Sequence, residues 1–242
     1  MATWIVHLRI AQNLFEKILG LNQEYFLIGN LGPDLNIQDE DDWETFRPPG
    51  DVTHYRTLSD DKFWCSDLDF YRKYLSKPKW AGRDPKRFSF LLGYFFHLLT
   101  DNLWHQEVGA PTQAQYSERF DADPDFIWEV KRDWYGLDFI YLRDHQDASF
   151  WLPFIHSEYN QDYLDFFPPD AIQKKLASIK SFYQRRDENT TELINRDFVF
   201  LSQDTMNAFI AQSTARIYQI YQVLCANSID TEGMNSAIGI QI

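Results

Sequence analysis

The stretch from Phe90 to Asp101 reads FLLGYFFHLLTD, and as a helix it is apolar almost all the way round. A helix of this kind is expected at the buried centre of a domain. His97 and Asp101 are four residues apart, so both lie on one face of that helix. A buried imidazole or carboxylate costs free energy unless it is paired or bound to a cation. The pair is therefore either a hydrogen bond that locks a core or two ligands of one metal ion.

Helical periodicity continues on both sides of this stretch, whereas the alternating runs typical of strands are scarce. Thr3 is the expected cap of the first helix, and Gly20 is its expected stop. We therefore expect an all-α, single-domain multi-helix bundle over residues 1–226, followed by a small, polar and mobile tail over 227–242. The predicted helices are 4–19, 23–30, 59–76, 86–107, 124–147, 151–165, 169–185 and 202–226.

The composition is that of a chain with a large core. Of its 242 residues, 44% are hydrophobic and 17% are aromatic, which excludes a disordered chain. A net charge of −13 argues against extended nucleic-acid binding and against electrostatic docking on anionic lipid. The two cysteines, Cys65 and Cys225, form no CxxC pair. With neither a signal-peptide pattern nor a run long enough to span a bilayer, we expect a cytoplasmic protein.

Three further polar residues occur where a folded chain would enclose them. His7 falls on the apolar face of the first helix, and Asp34 follows Gly32-Pro33, where a helix has just ended. His54 follows the turn-forming residues 48–53. Together with the imidazole and carboxylate of the central helix, they are the nitrogen and oxygen ligands that zinc accepts. For each of them, a polar side chain satisfied within the core remains the alternative.

Four segments, in this order, resemble the bacterial zinc-dependent phospholipase C family. The resemblance covers about the first 110 residues and implies an all-helical bundle similar to that of the fungal single-strand-specific nucleases. The segments are TWIVH at 3–7, GNLGPD at 29–34, PP at 48–49 with THY at 53–55, and LGYFFHLLTDNLW at 92–104.

The resemblance also implies a ligand set. Asp34, His54, His97 and Asp101 would hold one zinc ion, and Asp101 would bridge to a second zinc held by His7. Because other first-row divalent ions accept the same ligands, the resemblance to a zinc enzyme is what favours zinc.

The family's remaining ligands are not all matched. In secreted members a tryptophan at the mature N-terminus completes the second metal, whereas Trp4 is internal here, and the spacing around His105 and His145 departs from the third-metal pattern. We therefore expect one or two metal ions. The predicted helix at 124–147 offers Asp138 as a replacement ligand, assisted by His145, with a solvated helix face as the alternative. His105 is a further candidate.

Such a site favours hydrolysis of a small phosphoester or a phospholipid-type substrate. Zinc lowers the pKa of bound water to about 7, and two zinc ions can clamp the attacking and leaving oxygens. We expect metal-bound hydroxide to attack phosphorus, with Asp34 acting as both ligand and catalytic base. The sequence contains neither a G-x-S-x-G elbow nor a Walker loop. The alternative is a non-catalytic helical protein with a structural metal site that acts by binding a partner.

Overall fold

The computed structural model describes residues 1–38, 45–56, 64–76, 84–161, 163–226 and 229–242. Helices dominate these ranges, and the described strands form one short antiparallel pair, β1 (Ile37–Gln38) with β2 (Phe46–Arg47). The all-α prediction is confirmed. The α-helices are α1 (Trp4–Phe15), α2 (Gln23–Gly29), α3 (Gly50–Thr53), α4 (Asp67–Tyr74), α5 (Pro85–Trp104), α6 (Ala110–Gln115), α7 (Ser117–Ala122), α8 (Phe126–Asp144), α9 (Ala171–Gln184), α10 (Glu188–Asn195) and α11 (Gln203–Ala226).

Local sequence signals explain most helix boundaries, and one predicted helix is wrong. Thr3 caps α1 as expected, and Gly20 has a positive φ of 82° in the turn that follows. Over its described residues, 151–161 and 163–165, the helix predicted at 151–165 is replaced by turns, irregular segments and a single 3-10 turn at Phe154–His156. Pro153 disfavours helix in the residue before it, so the predicted start of the helix is lost. Part of the helix predicted at 59–76 lies outside the described residues.

Helix α5 forms the centre of the core. Every residue from Ser89 to Trp104 is buried, as the apolar pattern predicts. Its closest neighbour is α2, and glycine makes that approach possible. A Cβ on Gly93 would lie 2.4 Å from the carbonyl oxygen of Phe26, and one on Gly29 would lie 2.1 Å from that of Phe90. The two backbones are therefore in direct contact, which fixes the position of α5 relative to the turn that follows α2.

The C-terminal segment is tied to the core through Asp67 at the start of α4. This buried carboxylate accepts hydrogen bonds from the Ala237 amide at 2.8 Å, from Asn102 Nδ2 at 2.7 Å and from the Ser236 hydroxyl. Ala237 is itself fully buried. Part of the segment expected as a mobile tail therefore packs against the core. The reason is that the buried carboxylate of Asp67, which lies outside the predicted metal site, needs the hydrogen-bond donors that this segment supplies. The domain boundary near residue 226 stays a prediction.

Among the described helices, none combines the length and the apolar character that crossing a bilayer requires.

The contact between α2 and α5 leads to a stability prediction. Gly93→Ala should lower the free energy of unfolding by about 2–3 kcal/mol, because the new methyl group meets backbone that cannot yield. Gly109→Ala is the control, since its Cβ would meet ordinary contacts at 3.7 and 3.9 Å. Urea denaturation of both variants measures the difference. Equal stability of the two variants would contradict the direct backbone contact.

The pH dependence of unfolding should contain a contribution from Asp67. Burial raises the pKa of this carboxyl from 3.8 to about 7, although its hydrogen-bond donors oppose the shift. The folded protein then holds a proton that the unfolded chain releases. The stability from this proton is complete below pH 3.8 and is lost as the pH rises to about 7. The free energy of unfolding should fall by at most about 4 kcal/mol across this window, at about 1.4 kcal/mol per pKa unit.

Urea titrations at a series of pH values measure this slope. Asp67→Asn is the matched variant, because an amide does not titrate, so the part of the slope that belongs to Asp67 should be lost, while Asp138, whose pKa burial also raises to about 7, keeps its own part. A slope that is unchanged in the variant would assign the pH dependence to other groups.

Candidate metal centre

Five of the six residues predicted as metal ligands converge at one place. His7 comes from α1, Asp34 from the 3-10 turn at Gly32–Asp34 that follows α2, and His54 from the end of α3. His97 and Asp101 come from successive turns of α5. All five side chains are buried. The central apolar helix therefore supplies two of the groups, and the elements packed around it supply the other three.

The imidazole Nε2 atoms and the carboxylate oxygens face one another at short range. Nε2 of His97 lies 3.4 Å from Asp101 Oδ2, and Nε2 of His7 lies 3.5 Å from Asp101 Oδ1. Nε2 of His54 lies 3.3 Å from Asp34 Oδ1 and 3.6 Å from Asp101 Oδ2. The rings of His7 and His97 are stacked, with centroids 3.7 Å apart. One carboxylate, that of Asp101, is thus approached by all three imidazoles.

Backbone carbonyls decide which ring nitrogen carries the proton. Nδ1 of His97 lies 2.8 Å from the carbonyl oxygen of Asn30, and Nδ1 of His54 lies 3.0 Å from that of Gly50. A carbonyl oxygen can only accept, so each Nδ1 is the donor and each Nε2 of the neutral ring presents a lone pair. The same arrangement orients histidines that bind metals. Both Nε2 lone pairs point toward carboxylate oxygens, which also only accept.

Asp101 Oδ1 accepts a hydrogen bond from the Ala2 amide at 2.9 Å, whereas five other atoms of the cluster have no hydrogen-bond partner in the described part of the chain. They are both ring nitrogens of His7, Nε2 of His54 and of His97, and Oδ2 of Asp101. Buried polar atoms without partners are rare and costly. A cation at the centre would satisfy Nε2 of each of the three histidines and Oδ2 of Asp101. Two atoms bound at about 2.0–2.1 Å to one tetrahedral zinc lie about 3.3 Å apart, close to the separations of 3.3–3.6 Å found here. The residues present therefore fit a zinc ion.

The electrostatic environment favours a neutral His7, a protonated His97 and ionised carboxylates at the centre, and a bound metal would displace the proton of His97. Burial, followed by the charge of His97, lowers the pKa of His7 to about 4, so this ring is neutral near pH 7. Burial alone would lower the pKa of His97, but the charge of Asp101 outweighs it and raises that pKa. Burial alone would raise the pKa of Asp101, but the neighbouring His97 outweighs it and holds that pKa well below its usual range. The pKa of Asp34 is lowered in the same way, where hydrogen bonding to His54 outweighs burial. Deprotonated ligands are what metal binding requires.

Asp138, the sixth predicted ligand, is not brought into this cluster. One of its oxygens accepts a hydrogen bond from the Thr3 hydroxyl at 2.8 Å, and the other accepts one from the Tyr183 hydroxyl at 2.6 Å. Burial raises the pKa of this carboxyl to about 7. Because Thr3 caps α1, Asp138 anchors the start of the helix that carries His7. Its assignment as a ligand stays a prediction, and its contacts indicate a positioning role.

The remaining histidines lie away from the cluster. His105 is in a π-helical turn after α5, with its ring centroid 5.7 Å from that of Trp64. His145 is exposed and stacks on Tyr141, while its Nδ1 lies 2.9 Å from the Tyr141 carbonyl oxygen. His156 is also exposed. None of the three belongs to a described group of possible metal-binding side chains.

A cavity of about 390 Å³ opens beside the cluster, with Asp34 and His54 in its wall. Two lysines, Lys131 and Lys175, also line it, and sequence reasoning missed both because a lysine on a helix usually belongs to a solvated face. Only the cavity that they share distinguishes these two lysines from lysines on a solvated helix face. The wall is otherwise rich in aromatic rings, namely Trp4, Phe46, Trp128, Trp134 and Tyr135.

Comparison with known proteins adds one finding. The family model described as zinc dependent phospholipase C matches residues 6–126, which is half of the chain and includes all five clustered residues. Asp138 lies outside the matched range. No curated protein and no solved structure matches the chain.

Metal content gives a direct test of the cluster. The purified chain should bind zinc stoichiometrically and gain thermal stability from it, because an ion bound only by the folded state adds its binding free energy. His54→Ala should weaken zinc binding more than about 100-fold, since removing a direct ligand exceeds the usual effect of removing its supporting partner.

His145→Ala is the control, because that exposed histidine lies outside the cluster. Zinc titration calorimetry and metal analysis measure the effect, and circular dichroism checks that each variant folds. Equal zinc affinity in the two variants would show that the cluster does not hold the ion.

Proposed function

The chain belongs to the zinc-dependent phospholipase C family, and from this premise we propose that it is a metal-dependent phosphoric-ester hydrolase. The family implies Zn²⁺ as the cofactor, and His and Asp side chains that could hold it are present. The observation that carries the proposal is the cluster of buried, unpartnered nitrogen and oxygen atoms beside an open cavity. The substrate is a small phosphoester or a phospholipid-type molecule.

We assign the metal to His7, Asp34, His54, His97 and Asp101. When bound, zinc would supply positive charge for the phosphate and lower the pKa of a coordinated water to about 7. The carbonyl oxygens of Asn30 and Gly50 fix the rings of His97 and His54, and these contacts keep the centre rigid.

Asp34 has a second role in this proposal. It is the one carboxylate of the cluster that also lines the cavity, so it can reach a water molecule that enters there. Its lowered pKa keeps it ionised near neutral pH. An ionised carboxylate at this position can accept a hydrogen bond from that water and orient it. The low pKa makes Asp34 a weak base, so it would take the proton only from a water whose own pKa a bound metal has lowered. Asp34 is therefore the proposed catalytic residue.

The cavity favours catalysis over a purely structural metal. Structural zinc sites are closed by four protein ligands, whereas catalytic sites keep a position open. Here two members of the cluster, Asp34 and His54, face a cavity large enough for a small ester. Aromatic side chains in its wall can pack against the apolar part of a substrate and exclude water from it.

Turnover of bis-p-nitrophenyl phosphate tests the proposal. The zinc-loaded protein should release p-nitrophenol, a chelator should abolish the reaction, and added zinc should restore it. Asp34→Asn should lower kcat by at least about 100-fold at saturating zinc, because the base is lost. His145→Ala should retain the wild-type rate. A fully zinc-loaded protein that turns over neither this ester nor vesicles that contain phosphatidylinositol 4-phosphate, an anionic phosphodiester, would reject the hydrolase and favour a structural metal.

A further inference from the structure

Two lysines from different helices face the cavity beside the metal centre. Lys131 lies on α8 and Lys175 on α9, and both line the cavity that Asp34 and His54 also line. The chain as a whole carries a net charge of −13. Two cations directed to one cavity are therefore a local exception to the general charge of the protein.

Aromatic rings hold both ammonium groups without neutralising them. Nζ of Lys131 lies 4.7 Å from the centroid of Trp128, and Nζ of Lys175 lies 5.4 Å from that of Trp4. Across the described ranges, neither ammonium group forms a hydrogen bond or an ion pair. A cation–π contact orients a cation but leaves its charge available to an anion.

The other two cations of the cavity wall already act on carboxylates. Arg56 donates to Asp51 at 3.3 Å and stacks on Trp64 at 3.7 Å. The charge of the Met1 amino group acts on Asp101. Among the cationic side chains of the wall, the two lysines are therefore the ones whose charge is available. Partial burial lowers the pKa of both lysines, while the negative charge of Asp34 opposes that shift. An anion in the cavity would relieve the cost of keeping these ammonium groups away from water.

We propose that Lys131 and Lys175 form an anion subsite next to the metal centre, and that the substrate is a phosphoester carrying a further negatively charged group beside the scissile phosphate. This inference rests on the proposed function. A metal already offsets the single charge of a simple phosphodiester, so two further cations exceed what such a substrate needs. A cationic headgroup in the same cavity would be repelled.

Binding of two non-hydrolysable anions tests the subsite without turnover. Methylphosphonate carries one phosphonate, and phosphonoacetate carries a phosphonate and a carboxylate. By titration calorimetry, the zinc-loaded protein should bind phosphonoacetate at least about 10-fold more tightly, since one charge-assisted contact is worth about that factor. The double variant Lys131→Met with Lys175→Met should lose most of this preference. Methionine keeps much of the aliphatic length that packs on the rings.

Lys174→Met is the matched control, because this exposed lysine is the neighbour of Lys175 on α9 and does not line the cavity. It should keep the wild-type preference. A second pair, Lys131→Gln with Lys175→Gln, repeats the test if the methionine pair does not fold. A phosphonoacetate preference that is equal in wild type and in the folded double variant would overturn the subsite.

The hydrolase proposal and the anion-subsite proposal can each be rejected without rejecting the other. If the wild type hydrolyses bis-p-nitrophenyl phosphate but the lysines do not affect the anion preference, the subsite is rejected and the hydrolase stands. If the zinc-loaded wild type hydrolyses neither bis-p-nitrophenyl phosphate nor vesicle-borne phosphatidylinositol 4-phosphate, but its anion preference depends on the lysines, the subsite stands and the hydrolase is rejected.

Discussion

The structure depends on a buried cluster in which imidazole Nε2 atoms and carboxylate oxygens face one another. The Nδ1 atoms of His54 and His97 are used by backbone carbonyls, so their Nε2 lone pairs face the carboxylate of Asp101. Lone pairs facing lone pairs inside a core are unfavourable unless a proton or a metal ion lies between them. The fold holds this arrangement in place because α5 is buried along its length and packs directly against α2.

The packing that fixes the centre is itself a consequence of small residues. With glycine at positions 29 and 93, the backbones of α2 and α5 touch, and the turn after α2 places the Asn30 carbonyl against His97. The same turn continues to Asp34, which reaches both the cluster and the cavity. A core contact thus determines both the orientation of a buried histidine and the position of the one carboxylate that solvent can reach.

The charge that lines the cavity differs from the net charge of the chain. The chain carries a net charge of −13, whereas the cavity brings Lys131 and Lys175 near the carboxylates of the cluster. A zinc ion on those carboxylates would make the cavity positive as a whole. An acidic protein can in this way present a small region that attracts anionic esters, because local rather than net charge governs binding in a cavity.

The sequence by itself determined the helical class and the buried central helix, and it predicted the five side chains of the cluster. His7, His97 and Asp101 are conspicuous because they lie on apolar helix faces, whereas Asp34 and His54 were predicted from the turns that they follow and from the family resemblance. The sequence did not determine the role of Asp138, which spacing alone predicts as a ligand and whose two oxygens are used by Thr3 and Tyr183. It also missed Lys131 and Lys175, which lie on separate helices and share a cavity. Only the tertiary structure decides such matters, because helical spacing reports which face a residue occupies, whereas partners from distant segments are fixed by how the helices pack.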